Sequence, residues 1–448
     1  MVIQQVGARR PAWPDHAVWW HLHPLTFLGA EPEARPDPDA VHRLPRLEPW
    51  LDYLVELGCN GLALGPVFAS GTHGYDTVDH LRIDARLGDE ADLRRLAESC
   101  HSRGVRLLLD GVFNHVGRGF APFQDVLARR GASRYASWFR LDLDADGPDG
   151  FGYADFEGHR HLVALDHGEP EVAAHVVDVM RYWLDRGADG WRLDAAYAVP
   201  LAFWHAVTGE VRRTHPDAWF VGEVIHGDYA SFVTEGGLDS VTQYELWKAV
   251  WSSLNDRNFF ELSWALARHD GYASTFVPQT FVGNHDVTRI ASRLDDERHL
   301  PHALAVLFTV GGVPSVYAGD EQGFRGVKHE RADGDAEIRP AFPASPDGLA
   351  PYGRPVLRLH QDLIGLRRRH PWLVRSRVKV VHLANRALAY EATDPDGGAA
   401  LTVVLNLDDA PFTLSDAPPV RLLGSDDADP AAPAGRVGPH GWAVLGPR

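Results

Sequence analysis

The sequence predicts an α/β fold in which eight short parallel strands close into a barrel. Three observations carry the prediction. Eight compact apolar runs are spread along the chain, longer helix-like segments separate them, and each strong run is apolar at its start and polar at its C-terminal end. Buried strands that alternate with helices belong to parallel sheets, and eight such units suggest closure rather than an open sheet. The predicted class is a (β/α)8 barrel of the TIM type. A small subdomain is inserted after the third strand, and an antiparallel, β-sandwich-like domain follows at the C-terminus.

The runs, in order, are AVWWHLHPLTF from residue 17, GLALGPVF from 61, VRLLLDGVF from 105, GWRLDA from 190, WFVGEV from 219, SVTQYEL from 240, TFVGNHD from 280 and VPSVYAGDE from 313. The sixth carries the weakest apolar signal. Between them, 89–103 has helical apolar spacing and runs into Gly104, and 170–187 starts at Pro170 and stops at Gly187, as helices do. Residues 116–168 are rich in Gly and Asp and predict no long helix; they are the inserted subdomain. From about 374 short alternating runs take over (VKVVHL, ALAYEAT, ALTVVLNL, APFTL, GWAVLG), punctuated by Pro, Gly and Asp, as in an antiparallel sheet. The division expected is a barrel over 1–115 and 169–372, a subdomain over 116–168 and a β-domain over 373–448. The loop EPEARPDPDA at 31–40 reads as turn-rich and solvated.

Composition narrows the function. The 448 residues are 45% hydrophobic and 23% charged, enough for a sizeable core. A formal net charge of −17 opposes binding to nucleic acid or to an anionic membrane, and it suits a neutral substrate. No stretch approaches the ~20 apolar residues of a membrane span, and the N-terminal MVIQQVGARRPAWPDH has no secretory apolar run. The two cysteines, Cys59 and Cys100, lie in apolar segments and read as buried thiols rather than a disulfide. That suits a reducing compartment, and the cytoplasm is the expected location.

The polar ends of the runs carry the chemistry. LLLDGVFNH ends in Asp110, Asn114 and His115, WFVGEV in Glu223, and TFVGNHD in His285 and Asp286. In such a barrel the C-terminal rim is where active sites are built. In GWRLDAAY, Arg192 and Asp194 sit two apart on one strand and so share a face toward the barrel mouth. A guanidinium beside a carboxylate favours its charged form, and an ionised aspartate is a competent nucleophile. The bland alternative is an ion pair that only satisfies itself. Glu223, in the apolar setting of Val221, Val224 and Ile225, reads as the least paired of three mutually repelling carboxylates and as the one held protonated. An ionised Asp and a protonated Glu are the pair that glycoside hydrolysis requires.

Taken together, DGVFNH at 110–115, GWRLDAAY at 190–197, VGEV at 221–224 and FVGNHD at 281–286 resemble the four ordered signature regions of the α-amylase family, glycoside hydrolase family 13. GVPSVYAGDEQGF at 312–324 and HGYDTVDH at 73–80 resemble further family segments, and the likeness covers about residues 13–370. It points to an intracellular amylase of neopullulanase-like or α-glucosidase-like type. The resemblance implies a retaining mechanism with Asp194 as nucleophile, Glu223 as acid and base, and Asp286 as stabiliser of the oxocarbenium-like transition state. It implies that Arg192 holds Asp194, that His115 and His285 bond sugar hydroxyls, and that Tyr75 stacks on the sugar ring. Asp110, with Asn114, would order the loop around His115. No cofactor is required. Asp194 is followed by AAYAVP where secreted α-amylases often have a Lys-His tied to a structural calcium, so that calcium is not carried over. Neopullulanase-like relatives carry an extra N-terminal sheet domain, which this chain, starting almost at the barrel, is expected to lack along with the dimerisation it mediates.

Other signals weigh less. Asp142, Asp144 and Asp146 in LDLDADGPDG start like a calcium loop, but Tyr153 stands where a bidentate Glu is wanted, so a solvated acidic loop is favoured over a metal site. Trp138 and Trp247 are candidates for sugar contacts, and Asp320 and Glu321 for the cleft or its scaffolding. The expected function is hydrolysis of α-1,4-linked maltooligosaccharides or α-glucans, with an oligosaccharide or glucan as the partner. The alternatives are a transglycosylase or sugar isomerase of the same family, and below them a non-catalytic glucan-binding or chaperone subunit.

Overall fold

The computed structural model describes residues 11–35, 39–331, 334–425 and 432–447. The N-terminal stretch through Arg10 and residues 36–38 of the loop read as solvated lie outside them. The eight barrel strands are β1 (Trp19–Leu22), β2 (Gly61–Leu64), β3 (Arg106–Gly111), β4 (Gly190–Leu193), β5 (Trp219–Gly222), β6 (Ser240–Val241), β7 (Gln279–Phe281) and β8 (Val313–Tyr317). They form one parallel sheet in the order β6-β5-β4-β3-β2-β1-β8-β7. A parallel bridge from Thr242 to Gln279 joins the two edges, and the Gln243 N–H donates to the Gln279 carbonyl at 2.9 Å, so the sheet is a closed barrel. The sixth run keeps only two strand residues. Polar Ser240, Thr242 and Gln243 explain its weak apolar signal: their side chains or backbone bond across the closure rather than filling a core.

Strand alternation decides what faces the barrel interior. Trp19, Ala63, Leu108, Trp219, Val221 and Val313 form an inner cluster, while Trp20, Leu62, Leu107, Leu109, Trp191, Leu193 and Phe220 face the outer core under the helices. Trp19 stacks on Trp219 inside, with ring centroids 5.5 Å apart. Gly61 makes this possible, since a Cβ there would collide with the Trp19 ring. Continuing the same alternation toward the C-terminal rim turns Asp110, Arg192, Asp194 and Glu223 inward. Outside the insertion, the described helices of six residues or more are α1 (Glu48–Leu57), α2 (Glu90–Ser102), α3 (Pro170–Leu184), α4 (Leu201–Arg212), α5 (Tyr229–Thr234), α6 (Tyr244–Asn255), α7 (Phe260–Ala273), α8 (Leu300–Thr309) and α9 (Arg354–Arg369). α2 begins in a full capping box between Asp89 and Asp92, and α3 starts with Pro170 in its first turn. Among the described residues no helix is long and apolar enough to cross a membrane.

Two excursions shape the rim. After β2, a hairpin of Phe68–Ser70 and Thr77–Ile83 carries Tyr75 near its tip. After β3, a small antiparallel sheet of His115–Gly117, His159–Ala164 and Asp155–Phe156 stands beside the barrel mouth. This insertion also holds a nine-residue helix, Ala121–Arg129, where the sequence predicts no long one. Pro122 in its first turn and the buried pair Phe123 and Val126 account for it.

The C-terminal region holds β9 (Arg377–Leu383), β10 (Ala387–Thr393), β11 (Ala400–Asn406), β12 (Phe412–Thr413), β13 (Val420–Gly424), β14 (Arg436–Val437) and β15 (Trp442–Gly446). Five of them form one antiparallel sheet, β9-β10-β11-β15-β13, and β12 pairs with β14. Ala389, Val404, Val437, Ala443 and Leu445 make a small core between the two ladders. β13 is not among the strands the sequence predicts, because it is a half-buried edge strand without clear alternation. Asp270 of α7 takes two bonds from Arg377, at 2.8 and 2.6 Å, and fixes the sheet to the barrel.

Candidate active site

Arg192 is the centre of the rim. Its register partner on β3 is Asp110, and Nη1 donates to both Asp110 oxygens at 2.7 and 2.8 Å. The same nitrogen reaches Asp194 Oδ1 at 3.2 Å, and Nη2 reaches Glu223 Oε1 at 2.8 Å. One buried guanidinium therefore serves three buried carboxylates. This corrects the expectation that Glu223 is the least paired acid. Besides Arg192, it accepts from the Tyr244 hydroxyl at 3.0 Å and from the Ala195 N–H at 3.1 Å. Ala195 adopts a left-handed conformation, φ 45°, directly after Asp194.

The protonation balance follows from this sharing. Burial, then the charge of Glu223, pushes the Asp194 carboxyl well above its usual range, and Arg192 offsets this only in part. Burial also raises Asp110 against the pull of Arg192. The expectation that Arg192 simply keeps Asp194 ionised is thus revised: Arg192 is shared among three acids, and burial together with Glu223 outweighs its pull on Asp194. Arg192 itself is pinned in its charged form, because Asp110 and Glu223 outweigh the cost of its burial.

Asp286 is in the opposite state. Burial raises it, but His285, Arg339 and Lys328 outweigh that and hold it well below the usual carboxylate range. His285 Nε2 lies 2.9 Å from Asp286 Oδ2, and Arg339 Nη2 donates to Oδ1 at 2.8 Å. Arg339 Nε also donates to the His285 carbonyl at 2.8 Å, which fixes the loop. Asn284 donates to the Tyr244 hydroxyl at 2.8 Å, so Asn284, Tyr244 and Glu223 form a chain that links the loops after β7 and β5.

Tyr75 stacks on His285 with ring centroids 5.4 Å apart and planes within 4°, and its hydroxyl contacts both Asp110 and His285. His115 Nε2 donates to the Tyr75 carbonyl, 3.0 Å away, and the ring stacks on Phe156. Burial pushes this imidazole down to about 4, so it is neutral at neutral pH. Asn114 lies 3.1 Å from His115 Nδ1 and orients it. Asp110 bonds Arg192 and the Tyr75 hydroxyl, and so reaches His115 only through Tyr75.

These groups open on a cleft of about 470 Å³ that Tyr75, His115, Asp194, Glu223 and Asp286 line together. Arg192 and His285 line a recess of about 30 Å³ just below it. The cleft wall also includes Tyr197 and Glu157, whose side chains bond at 2.9 Å, as well as Tyr244 and Trp247. Trp138 is elsewhere, donating to Glu171 under the subdomain at 3.0 Å. Asp320 and Glu321 do not line the cleft. Asp320 pairs with buried Arg289 at 2.8 Å, and Glu321 accepts from the Tyr53 hydroxyl at 2.9 Å. Asp142, Asp144 and Asp146 are exposed, and they are not among the described clusters able to gather around a cation. Cys59 and Cys100 are free and buried.

Three residues of the site carry no distinct signal in the sequence: Tyr244, Asn284 and Arg339. Asn284 stands inside the FVGNHD motif and Tyr244 inside the weak sixth run, where neither differs from an ordinary polar neighbour. Arg339 sits in an irregular loop whose approach to Asp286 is purely tertiary.

The family profile "Alpha amylase, catalytic domain" matches residues 47–373. The chain is 31% identical over 433 residues to a cyclomaltodextrinase of a Bacillus species, covering 90% of this chain and 75% of the relative. It is 32% identical over 421 residues to neopullulanase 2 of Thermoactinomyces vulgaris, covering 88% and 70%. The solved cyclic alpha-maltosyl-(1→6)-maltose hydrolase of Arthrobacter globiformis superposes with a TM-score of 0.80 at 26% identity, over 98% of this chain and 100% of that one.

Proposed function

The chain belongs to the α-amylase family and is a glycoside hydrolase, and on that premise we propose that it cleaves α-1,4-glucosidic bonds of maltooligosaccharides or α-glucans with retention at the anomeric carbon. The observation that carries this reading is the meeting of Asp194, Glu223 and Asp286, from the ends of three barrel strands, on one cleft. In it, Asp194 attacks the anomeric carbon, Glu223 protonates the leaving oxygen and then activates water, and ionised Asp286 offsets the positive charge of the oxocarbenium-like transition state. As the anomeric carbon gains positive charge beside Asp194, it favours the ionised form of that carboxylate. Arg192 keeps both acids within reach of the same carbon. Tyr75 and His115 receive the sugar at the cleft floor.

The names of the relatives, cyclomaltodextrinase and neopullulanase, support short or cyclic α-glucans as substrates. Two free buried thiols support a cytoplasmic location. The test is proton NMR of product released from maltotriose and from a cyclodextrin. The α-anomer appearing first, before mutarotation, fits the double displacement; the β-anomer appearing first would overturn it, and longer products before glucose would overturn simple hydrolysis.

A further inference from the structure

We propose that the seam between the barrel and the C-terminal sheet contains a zinc site formed by Asp296, His299 and His440. Asp296 and His299 lie in the segment between β7 and α8, and His440 lies in the turn before β15. His299 Nε2 and His440 Nδ1 are hydrogen-bonded at 2.9 Å, and each is 4.0 Å from Asp296 Oδ2. A triangle with sides of 2.9, 4.0 and 4.0 Å has its circumcentre about 2.1 Å from every corner. That is the bond length zinc makes to imidazole nitrogen and carboxylate oxygen, ~2.0–2.2 Å. Two imidazoles and one carboxylate are a donor set that suits zinc rather than calcium or magnesium.

A second observation points the same way. His440 Nε2 is 2.8 Å from Asp409 Oδ1, so Nε2 carries a proton, Nδ1 accepts from His299 Nε2–H, and a metal ion at this point would take the place of that bridging proton. A carboxylate behind a ligating histidine is the usual way a metal ligand is oriented. His440 is held in this pose by a left-handed backbone, φ 51°, and both histidine residues are buried, 1% and 7% exposed. Their near-parallel rings lie 5.1 Å apart, and His302 packs edge-on against His299. Arg298 competes for Asp296, with Nη2 at 2.6 Å from Oδ2. It is 58% exposed, its Nε reaches both oxygens, at 2.9 Å to Oδ1 and 3.1 Å to Oδ2, and its backbone N–H bonds Oδ1, so a small rotation can yield Oδ2 without leaving the carboxylate. The ion would tie the segment downstream of Asp286 to the C-terminal sheet, and its binding free energy would add to that of folding.

The test uses the full chain without an affinity histidine tag, loaded with zinc, passed over a desalting column and assayed for bound metal. One equivalent per chain is expected, with cobalt in its place giving the visible bands of a four- or five-coordinate ion. His440→Gln and Asp296→Asn should each lose that equivalent with unchanged far-UV circular dichroism. Asp296→Asn lies on a loop, so it remains informative if His440→Gln unfolds. Asp409→Asn should weaken zinc by about 10–100-fold while keeping the stoichiometry. Wild-type chain that retains no stoichiometric zinc, or variants that retain as much as wild type, would overturn the site.

Discussion

Replacing Glu321 by glutamine separates a scaffolding carboxylate from a cleft carboxylate. Glu321 is fully buried after β8, where it accepts from the Tyr53 hydroxyl at 2.9 Å, the Gly319 N–H at 2.9 Å and the Trp20 indole at 3.4 Å. Burial pushes its carboxyl up to about 7 from an ordinary 4.5, more than these donors pull it down. Between those two values the folded chain keeps a proton that the unfolded chain has released, so stability falls as pH rises. A raised value of this size costs about 3 kcal/mol between roughly pH 4 and pH 8, at 1.36 kcal/mol per unit. In Glu321→Gln that part of the pH dependence should vanish. The variant should also start lower at acidic pH by about 1–3 kcal/mol, because its amide meets the Gly319 donor with a donor. The assay is denaturant unfolding followed by tryptophan fluorescence at several pH values, with kcat on maltotriose measured alongside. Parallel stability curves for wild type and variant would refute the burial argument. A large loss of kcat in a folded variant would refute the placement of Glu321 outside the cleft.

The other predictions concern the cleft. Asp194→Asn and Glu223→Gln should each lower kcat by on the order of 10³-fold or more without shifting the melting temperature downward, as measured by initial rates and calorimetry. Arg192→Lys should be far from conservative: a single ammonium cannot hold Asp110, Asp194 and Glu223 together, and leaving a buried acid unpaired costs about 3–5 kcal/mol in thermal or denaturant unfolding. Arg339→Gln removes a cation that holds Asp286 low, so the acidic limb of the kcat/KM profile should move to higher pH. An unmoved limb would contradict the role given to that contact.

Much of this protein is written locally. Strands such as LLLDG and FVG announce themselves by apolar runs, and the same alternation that sends Leu108 and Val221 inward sends Asp110 and Glu223 inward one step later. Period-two geometry needs no partner, so the barrel, its rim and the three carboxylates are legible before any contact is known. The edge strand Val420–Gly424 escapes because an edge half exposed on both faces leaves no alternation to read. The pairing of charges is a different matter. That Arg192 is divided among three acids, that Glu223 gains Tyr244 and Ala195 as donors, that Arg339 crosses to Asp286 and that Glu321 belongs to Tyr53 are facts about atoms far apart along the chain. Electrostatic and hydrogen-bond energies depend on distance and desolvation through space, and barrel closure alone sets both.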